Sequence, residues 1–196
     1  MYRIFLLLVV FAMWSCGGGT TNSGDQFFAK SNYAKATEAY SELLVNNPSD
    51  VSLLYNRGRS YEELGNFDLA EQDFLAILGQ DAKHLNACLS LSKVYYEMES
   101  YNKAVIFADR ALDVNQNSAQ GHFLSARAKH QLGYVDSALE SYNLAININK
   151  DMGEAYLYRG ALKMHMGNSK SACSDITKAV NLDIAEAKTV QSKYCN

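Results

Sequence analysis

The chain of 196 residues has little proline and little positive charge. It contains one proline, and its acidic residues outnumber its basic residues by 21 to 18. Because proline breaks helices, its near absence leaves long stretches rich in Ala, Leu, Glu and Lys free to form them. A hydrophobic share of 48% argues against a disordered chain, and the small negative charge gives no basic footprint for nucleic acid. The composition therefore predicts an all-α globular protein with no nucleic-acid partner.

The N-terminal apolar run is too short to span a membrane. It extends from Ile4 to Trp14, 11 residues, which as a helix would measure about 16 Å against a hydrocarbon core of about 30 Å. A single positive charge, Arg3, precedes the run. Ser15, Cys16 and a polar stretch rich in glycine follow it. These features are typical of a secretory signal peptide.

Because Cys16 follows the run so closely, the segment resembles a bacterial lipoprotein signal, in the looser form found in Bacteroidetes-type bacteria. The resemblance implies that residues 1–15 are removed as a signal peptide and that Cys16 is lipidated, with residues 16–23 as a flexible tether. It implies a lipid-anchored protein of the bacterial cell envelope that faces the periplasm or the cell surface. The alternative is an ordinary secretory peptide in which Cys16 is incidental. In both cases the mature chain lies outside the cytoplasm.

The rest of the chain repeats itself with a period of 34 residues. "GNFDLAEQDF" begins at Gly65, and "GYVDSALESY" begins two periods later at Gly133, with Gly, Asp, Ala and an aromatic residue at the same offsets. One column of the repeat is alanine in every copy: Ala36, Ala70, Ala104, Ala138 and Ala172. A fixed period of this length indicates a stack of similar units, each too small to bury its own apolar face.

The segment "LLYNRGRSYEELGNFDLAEQDFLAIL" (Leu53 to Leu78) resembles the tetratricopeptide repeat (TPR). The resemblance implies that residues 24–183 form a right-handed superhelix of about five helix-turn-helix repeats. In residues 184–196, Ile184, Ala187 and Val190 stand at helical spacing with polar residues between them. This pattern predicts a C-terminal capping helix.

The resemblance also implies which residues line a concave groove, because in TPR proteins the first helix of each repeat forms that wall. Three cations, Arg59, Lys93 and Arg127, occupy one repeat position, which predicts a basic ladder in an acidic chain. The implied groove residues are Tyr55, Arg59, Leu89, Lys93, Tyr96, Phe123, Arg127, His130 and Leu157.

Local ion pairs are the alternative to a basic ladder. Arg59 has Glu63, and Lys93 has Glu97, four residues further along the predicted helix, a spacing at which side chains meet. Arg127 has Gln131 at that spacing. We therefore expect Arg127 to be the freest of the three cations.

The predicted function is a membrane-tethered scaffold that holds a protein or peptide segment, acidic or carboxylate-bearing, in the groove. The family's clamp for C-terminal carboxylates requires Lys and Asn where this chain has Tyr55, Leu89 and Phe123. That specificity is therefore not implied. The alternative is a structural subunit that assembles into an envelope complex through its edges or its convex face.

Catalytic signatures are absent from the sequence. It contains neither a glycine-rich phosphate-binding loop nor a His-Glu-x-x-His zinc motif. His130 and His165 lie at nearby positions of successive repeats, but histidines without a ligand role are far commoner than metal sites. We expect no enzyme activity, no cofactor and no metal.

Three cysteines lie within the repeats and the predicted cap. Cys88 falls inside a first helix, where it is best explained as a small buried hydrophobe. The last segment, Ser171 to Cys195, resembles the end of many Bacteroidetes repeat proteins that carry a similar cysteine pair. The resemblance implies a Cys173–Cys195 disulfide, which an oxidising envelope permits. Two separate thiols are the alternative, since spacing does not fix a pairing.

The anchor prediction is tested by Cys16→Ala. We expect the variant to be soluble or to be retained as an uncleaved precursor, because stable anchoring needs the two acyl chains that the cysteine would carry. Membrane fractionation and mass spectrometry of the N-terminal peptide measure both results. Unchanged fractionation, with an unmodified N-terminal peptide in the wild type, would contradict the prediction.

Overall fold

A computed structural model describes residues 22–195, which form eleven α-helices and no strand. The helices are α1 (Ser23–Ala29), α2 (Tyr33–Asn46), α3 (Val51–Glu63), α4 (Phe67–Gln80), α5 (Leu85–Glu97), α6 (Tyr101–Val114), α7 (Ala119–Gln131), α8 (Val135–Ile148), α9 (Gly153–His165), α10 (Ser169–Asn181) and α11 (Ala185–Tyr194). No helix in this part of the chain is long and apolar enough to cross a membrane. The predicted signal peptide and Cys16 lie outside the described residues.

The helices form five successive hairpins, α1–α2 to α9–α10, and α11 packs against α10 at the end. Each hairpin contacts mainly the next one along the chain, as expected for a solenoid. α1 is only 7 residues long, which agrees with the glycine-rich sequence before it. The core is accordingly a row of clusters between neighbouring helices.

The turn inside each hairpin has one residue in the left-handed backbone region. At Gly65 φ is 73°, and the next N–H, that of Asn66, donates to the carbonyl of Tyr61 at 2.8 Å. This bond closes the end of the first helix. Glycine adopts such a φ without a steric penalty, whereas Ser31 (55°) and Glu99 (56°) adopt it at a cost of about 1 kcal/mol each. The equivalent residues are Ser31, Gly65, Glu99, Gly133 and Gly167.

The two helices of a hairpin approach closely at a small residue. The Phe74 ring lies over Gly58, and a Cβ atom on Gly58 would lie 2.8 Å from the ring. Ile176 lies over Gly160 in the same way, at 2.9 Å. Ala70, four residues before Phe74, is completely buried, and so is the equivalent alanine of every repeat. The close approach therefore explains why a small residue of the first helix, such as Gly58, and the alanine of the second helix stand at this contact.

One slot inside the hairpin holds a buried ion pair in two repeats. Arg57 donates from Nε and Nη2 to the two carboxylate oxygens of Asp73, at 2.8 and 2.6 Å. Arg159 and Asp175 reproduce these distances in the fifth hairpin. In the third hairpin the equivalent positions hold Leu91 and Phe107, which belong to the apolar core. In the fourth hairpin they hold the buried Ser125 and Ser141, so the slot accepts charged, apolar or small polar pairs.

Gly58→Ala tests the close approach. We expect it to destabilise the protein by about 1–3 kcal/mol, because the buried Phe74 ring has no space to move away from the new methyl group. Gly79→Ala is the matched control, since Gly79 lies in α4 and a Cβ there would meet nothing within 4 Å. The control should stabilise by up to about 1 kcal/mol through helix propensity. Equal changes in thermal unfolding temperature would contradict this account.

A double-mutant cycle tests the charged slot. Arg57→Leu should cost about 3 kcal/mol, because it leaves the buried Asp73 carboxylate without its partner, and Asp73→Phe should cost less, because the Arg57 side chain is 22% exposed and keeps its hydrogen bond to Ser41. The double variant reproduces the pair that the chain carries at Leu91 and Phe107, and its stability should lie within about 1 kcal/mol of wild type. Denaturant unfolding of all four proteins measures the coupling. Additive losses in the double variant would show that the slot does not tolerate an apolar pair.

Candidate protein-binding groove

The first helices of the second, third and fourth hairpins, α3, α5 and α7, enclose an open hollow of about 220 Å³. Four of the predicted groove residues, Tyr55, Arg59, Leu89 and Lys93, line it together. We call this surface the α3–α5–α7 hollow. Its other lining residues, mostly polar, are Glu62, Glu63, Asn86, Ser90, Gln120 and Leu124.

Lys93 does not form the ion pair with Glu97 that was the local alternative to a basic ladder. Its ammonium group forms an ion pair with Glu62 on the preceding first helix, not with Glu97 one turn further along its own helix. Burial by itself lowers the pKa of Lys93, but the hydrogen bond and charge of Glu62, with Glu63 and Glu97 nearby, raise it above its usual value overall. The charge of Lys93 is therefore largely balanced within the hollow.

Arg59, like Lys93, is an exposed cation of the hollow. Its guanidinium carbon lies 4.7 Å from the centroid of the Phe28 ring on α1, and within residues 22–195 no ion pair involves it. The pair with Glu63, which was the alternative to a basic ladder, therefore does not form. Stacking on the ring holds the guanidinium in place and leaves its N–H donors available.

The expectation that Arg127 is the freest cation is wrong. Its side chain is only 15% exposed, because the guanidinium lies between two rings, 3.9 Å from the centroid of Tyr96 and 5.0 Å from that of Tyr158. A carboxylate oxygen of Glu97 lies 3.9 Å from Nη2. The buried Nε of Arg127 has no hydrogen-bond partner in the described part of the chain. The three cations therefore do not form a ladder of equivalent groups.

Phe123 and Leu157 were predicted to line the groove, but both are buried in the core. Phe123 is 5% exposed and packs against Tyr142 and Tyr158, with ring centroids 6.3 and 5.8 Å away. Leu157 is 7% exposed and belongs to the cluster beneath α11. Neighbouring helices cover this repeat position in the second half of the array, whereas Tyr55 and Leu89 remain half-exposed at it.

Tyr96 and His130, the two remaining predicted groove residues, lie on α5 and α7. The Tyr96 hydroxyl accepts a hydrogen bond from Gln131 at 3.1 Å. His130 is half-buried and meets the Tyr142 ring edge-on, at 6.5 Å between centroids. Burial, and then the nearby charge of His165, lower the pKa of His130. Residues 22–195 contain no group of three His, Cys, Asp or Glu side chains that could hold a metal ion.

The cysteines occupy two environments. Cys173 and Cys195 form a disulfide, with 2.07 Å between the sulfurs, in the pairing that the resemblance implied. Cys88 is a buried free thiol, and burial raises its pKa. It therefore packs as a small hydrophobe and is not activated as a nucleophile.

Family comparisons agree with this architecture. Residues 21–84 match a family model described as tetratricopeptide repeat, and a second model of the same description matches residues 85–118 and 119–152. The chain belongs to the tetratricopeptide repeat family. The α9–α10 hairpin lies beyond the matched residues, but it has the same turn at Gly167 and the same buried ion pair as the second repeat. We therefore count it as a fifth TPR.

The fold is similar to that of TTC0263, a thermophilic TPR protein of Thermus thermophilus. The TM-score is 0.74 at 21% sequence identity, with 87% of this chain and 94% of that chain covered. This similarity confirms the predicted all-α TPR superhelix. At such a low identity it concerns the fold alone.

The curated relatives are distant and much longer. The human protein O-mannosyl-transferase TMTC1 is 23% identical over 163 residues, which are 81% of this chain and 18% of that protein. The DnaJ homolog subfamily C member 7 homolog of Dictyostelium discoideum is 25% identical over 186 residues, 82% of this chain and 34% of that protein. This chain thus spans about a third or less of each relative. TPR arrays are generally binding scaffolds without catalytic activity, and the first relative's name describes that whole protein.

The TPR array also has an apolar pocket that the sequence analysis did not identify. It lies between α9, α10 and α11 and measures about 410 Å³. Ala161 and Met164 stand at the same repeat positions as Arg59 and Glu62 of the hollow. This change from charged to apolar residues is the sequence feature that could have indicated the pocket. The lining residues are Ala161, Met164, His165, Ile176, Val190 and Tyr194.

Proposed function

We propose that this TPR protein is a binding scaffold of the bacterial cell envelope, tethered to a membrane through Cys16. It holds a segment of a partner protein across the α3–α5–α7 hollow. The observation that carries the proposal is the hollow itself, where the exposed Arg59 lies beside the half-exposed side chains of Tyr55 and Leu89. A cation beside apolar contact area is the usual composition of an energetically important binding site.

Arg59 gives the hollow its preference for a carboxylate-bearing segment. A partner carboxylate can bind the guanidinium without first displacing an ion pair, and two parallel N–H donors favour the planar carboxylate. Lys93 contributes less, because a partner would have to displace Glu62 from it. The preference therefore depends mainly on one residue.

Tyr55 and Leu89 provide the apolar part of the contact. Tyr55 packs against Phe74 and His84, with ring centroids 5.8 and 6.1 Å away, so its orientation is fixed before a partner arrives. A pre-ordered aromatic side chain loses little entropy on binding. An extended or helical segment with a carboxylate near one or two apolar residues fits this surface.

The tether and the location rest on the N-terminal sequence. The apolar run, Cys16 and the glycine-rich stretch up to residue 23 resemble a lipoprotein signal, and a flexible linker of this kind would let the array move relative to the membrane. A disulfide such as Cys173–Cys195 is typical of proteins in oxidising compartments. Both features favour the cell envelope.

Exposed apolar residues on the second helices support the alternative of a structural subunit. Val45 on α2 is 80% exposed and Ile106 on α6 is 56% exposed. Leu75 and Leu144 on α4 and α8 are each 40% exposed. Scattered exposed aliphatic residues are ordinary, but their recurrence on successive second helices would suit assembly through that face.

Arg59→Ala tests the proposed groove. We expect it to weaken binding of the protein that copurifies from solubilised membranes by roughly tenfold, because a charge-assisted hydrogen bond contributes about 1.5–3 kcal/mol. The salt dependence of binding should also decrease. Arg110→Ala is the matched control, since Arg110 likewise lies over a phenylalanine ring, 5.0 Å from the Phe107 centroid, but on α6. Calorimetry at low and high salt measures both effects.

Ile106→Asp separates the groove from the second-helix face. In the groove proposal this variant binds the partner like wild type. If Ile106→Asp abolishes binding while Arg59→Ala leaves it unchanged, the groove is not the site and the structural-subunit function replaces it. Circular dichroism of each variant confirms that helix content is unaltered.

A further inference from the structure

α11 is attached firmly at its two ends. Before its first turn, Ile184 packs onto α9, where a Cβ on Gly153 would lie 2.8 Å from Ile184 Cδ1. After its last turn, Cys195 is bonded to Cys173 in the first half of α10. Between these anchors Ala187 is the one completely buried residue of the helix. The middle of α11 therefore contributes little buried apolar surface.

The space beneath α11 is not filled by its side chains. The apolar pocket of about 410 Å³ lies there, with Val190 and Tyr194 on the α11 side. Met164 and Ile176 form part of the opposite wall. A hydrogen bond from Gln191 Nε2 to Thr177 Oγ1, 2.9 Å long, joins the exposed side of α11 to α10. Within residues 22–195 no ion pair joins α11 to the array.

We propose that α11 is a redox-controlled flap over this pocket, with its hinge at Ile184 and its latch at the Cys173–Cys195 disulfide. In the oxidised protein the flap is closed. Reduction releases the C-terminal end of α11, which then swings about Ile184 and uncovers Met164 and Ile176. The pocket is thereby exposed at the end of the array.

The redox step is ordinary dithiol–disulfide exchange. A thiolate of a dithiol reductant attacks one sulfur of the cystine, forms a mixed disulfide and expels the other sulfur as a thiolate. The second thiol of the reductant then resolves the mixed disulfide. Two electrons pass to the cystine, the reductant becomes a disulfide, and Cys173 and Cys195 end as protonated thiols. Both cysteines are only partly buried, so a reductant can reach them.

The latch should control the flap strongly. The disulfide joins cysteines 22 residues apart in the sequence, and the chain-entropy model for a fully flexible loop of this size sets roughly 100-fold as the upper limit of its effect on the open state. The interactions that remain after reduction include the burial of Ala187, the Gln191–Thr177 hydrogen bond and the half-buried contacts of Ile184 and Val190. We therefore expect the reduced flap to open without unfolding the hairpin beneath it.

Hydrogen–deuterium exchange of the full chain reports flap opening, because a helix of 10 residues is marginally stable once it leaves the array and its amides then lose protection. Amides of α11 should exchange up to about 100-fold faster after dithiothreitol treatment than in the oxidised protein. Amides of α9 and α10 should keep their protection. This readout needs no partner, so its result does not depend on whether the α3–α5–α7 hollow binds anything.

The Cys173→Ser/Cys195→Ser double variant is the control for other effects of the reductant. It should show fast α11 exchange without dithiothreitol and no further change with it, and Cys88→Ala should behave like wild type. If α11 stays protected in the double variant, the disulfide is not the latch. If α9 and α10 lose protection together with α11, the disulfide stabilises the whole last repeat and the flap proposal is wrong.

Discussion

The architecture depends on one steric constraint, the close approach of the two helices in each hairpin. A small residue of the first helix receives the large side chain of the second, as Gly58 receives Phe74. The completely buried alanine of every repeat, such as Ala70, keeps the second helix near. Because each hairpin has the same spacing, its outer faces can stack on the next hairpin, and a row of small cores replaces one large core.

Outside this contact the repeats differ in chemistry while keeping their geometry. The slot that holds Arg57 and Asp73 in one repeat holds Leu91 and Phe107 in the next. A buried ion pair and an apolar pair can be similar in net stability, because desolvation offsets the attraction between the charges. The fold therefore tolerates different chemistry and different size at this slot, which holds the buried pair Ser125 and Ser141 in the fourth repeat.

The sequence predicted the parts of the fold that depend on residues close to one another. The 34-residue period predicted a stack of similar units, and the five alanines that it aligns are all completely buried in the structure. Tyr55 and Lys93 were correctly predicted to share a surface.

Exposure within the groove could not be predicted, because side chains from other repeats decide it. Arg127 is enclosed by Tyr96 and Tyr158, each about one repeat away in the sequence. Lys93 has a carboxylate at its own i+4 position and still pairs with Glu62 of the preceding repeat. The 34-residue period shows which residues occupy equivalent positions. It does not show which side chains of adjacent repeats cover those positions.

These differences make the middle and the C-terminal end of the array unequal. At the α3–α5–α7 hollow the surface is polar, and Arg59 has donors available for a partner. Toward α9 and α11 the equivalent positions are Ala161 and Met164, and the surface becomes an apolar pocket beneath a helix held by a disulfide. If the proposed function holds, a partner segment that runs along the array would meet a polar surface with the exposed Arg59 in the middle and an apolar pocket at the C-terminal end. Because only the pocket lies beneath a disulfide-tethered helix, a change in redox state would act on the apolar contacts and leave the contact with Arg59 unchanged.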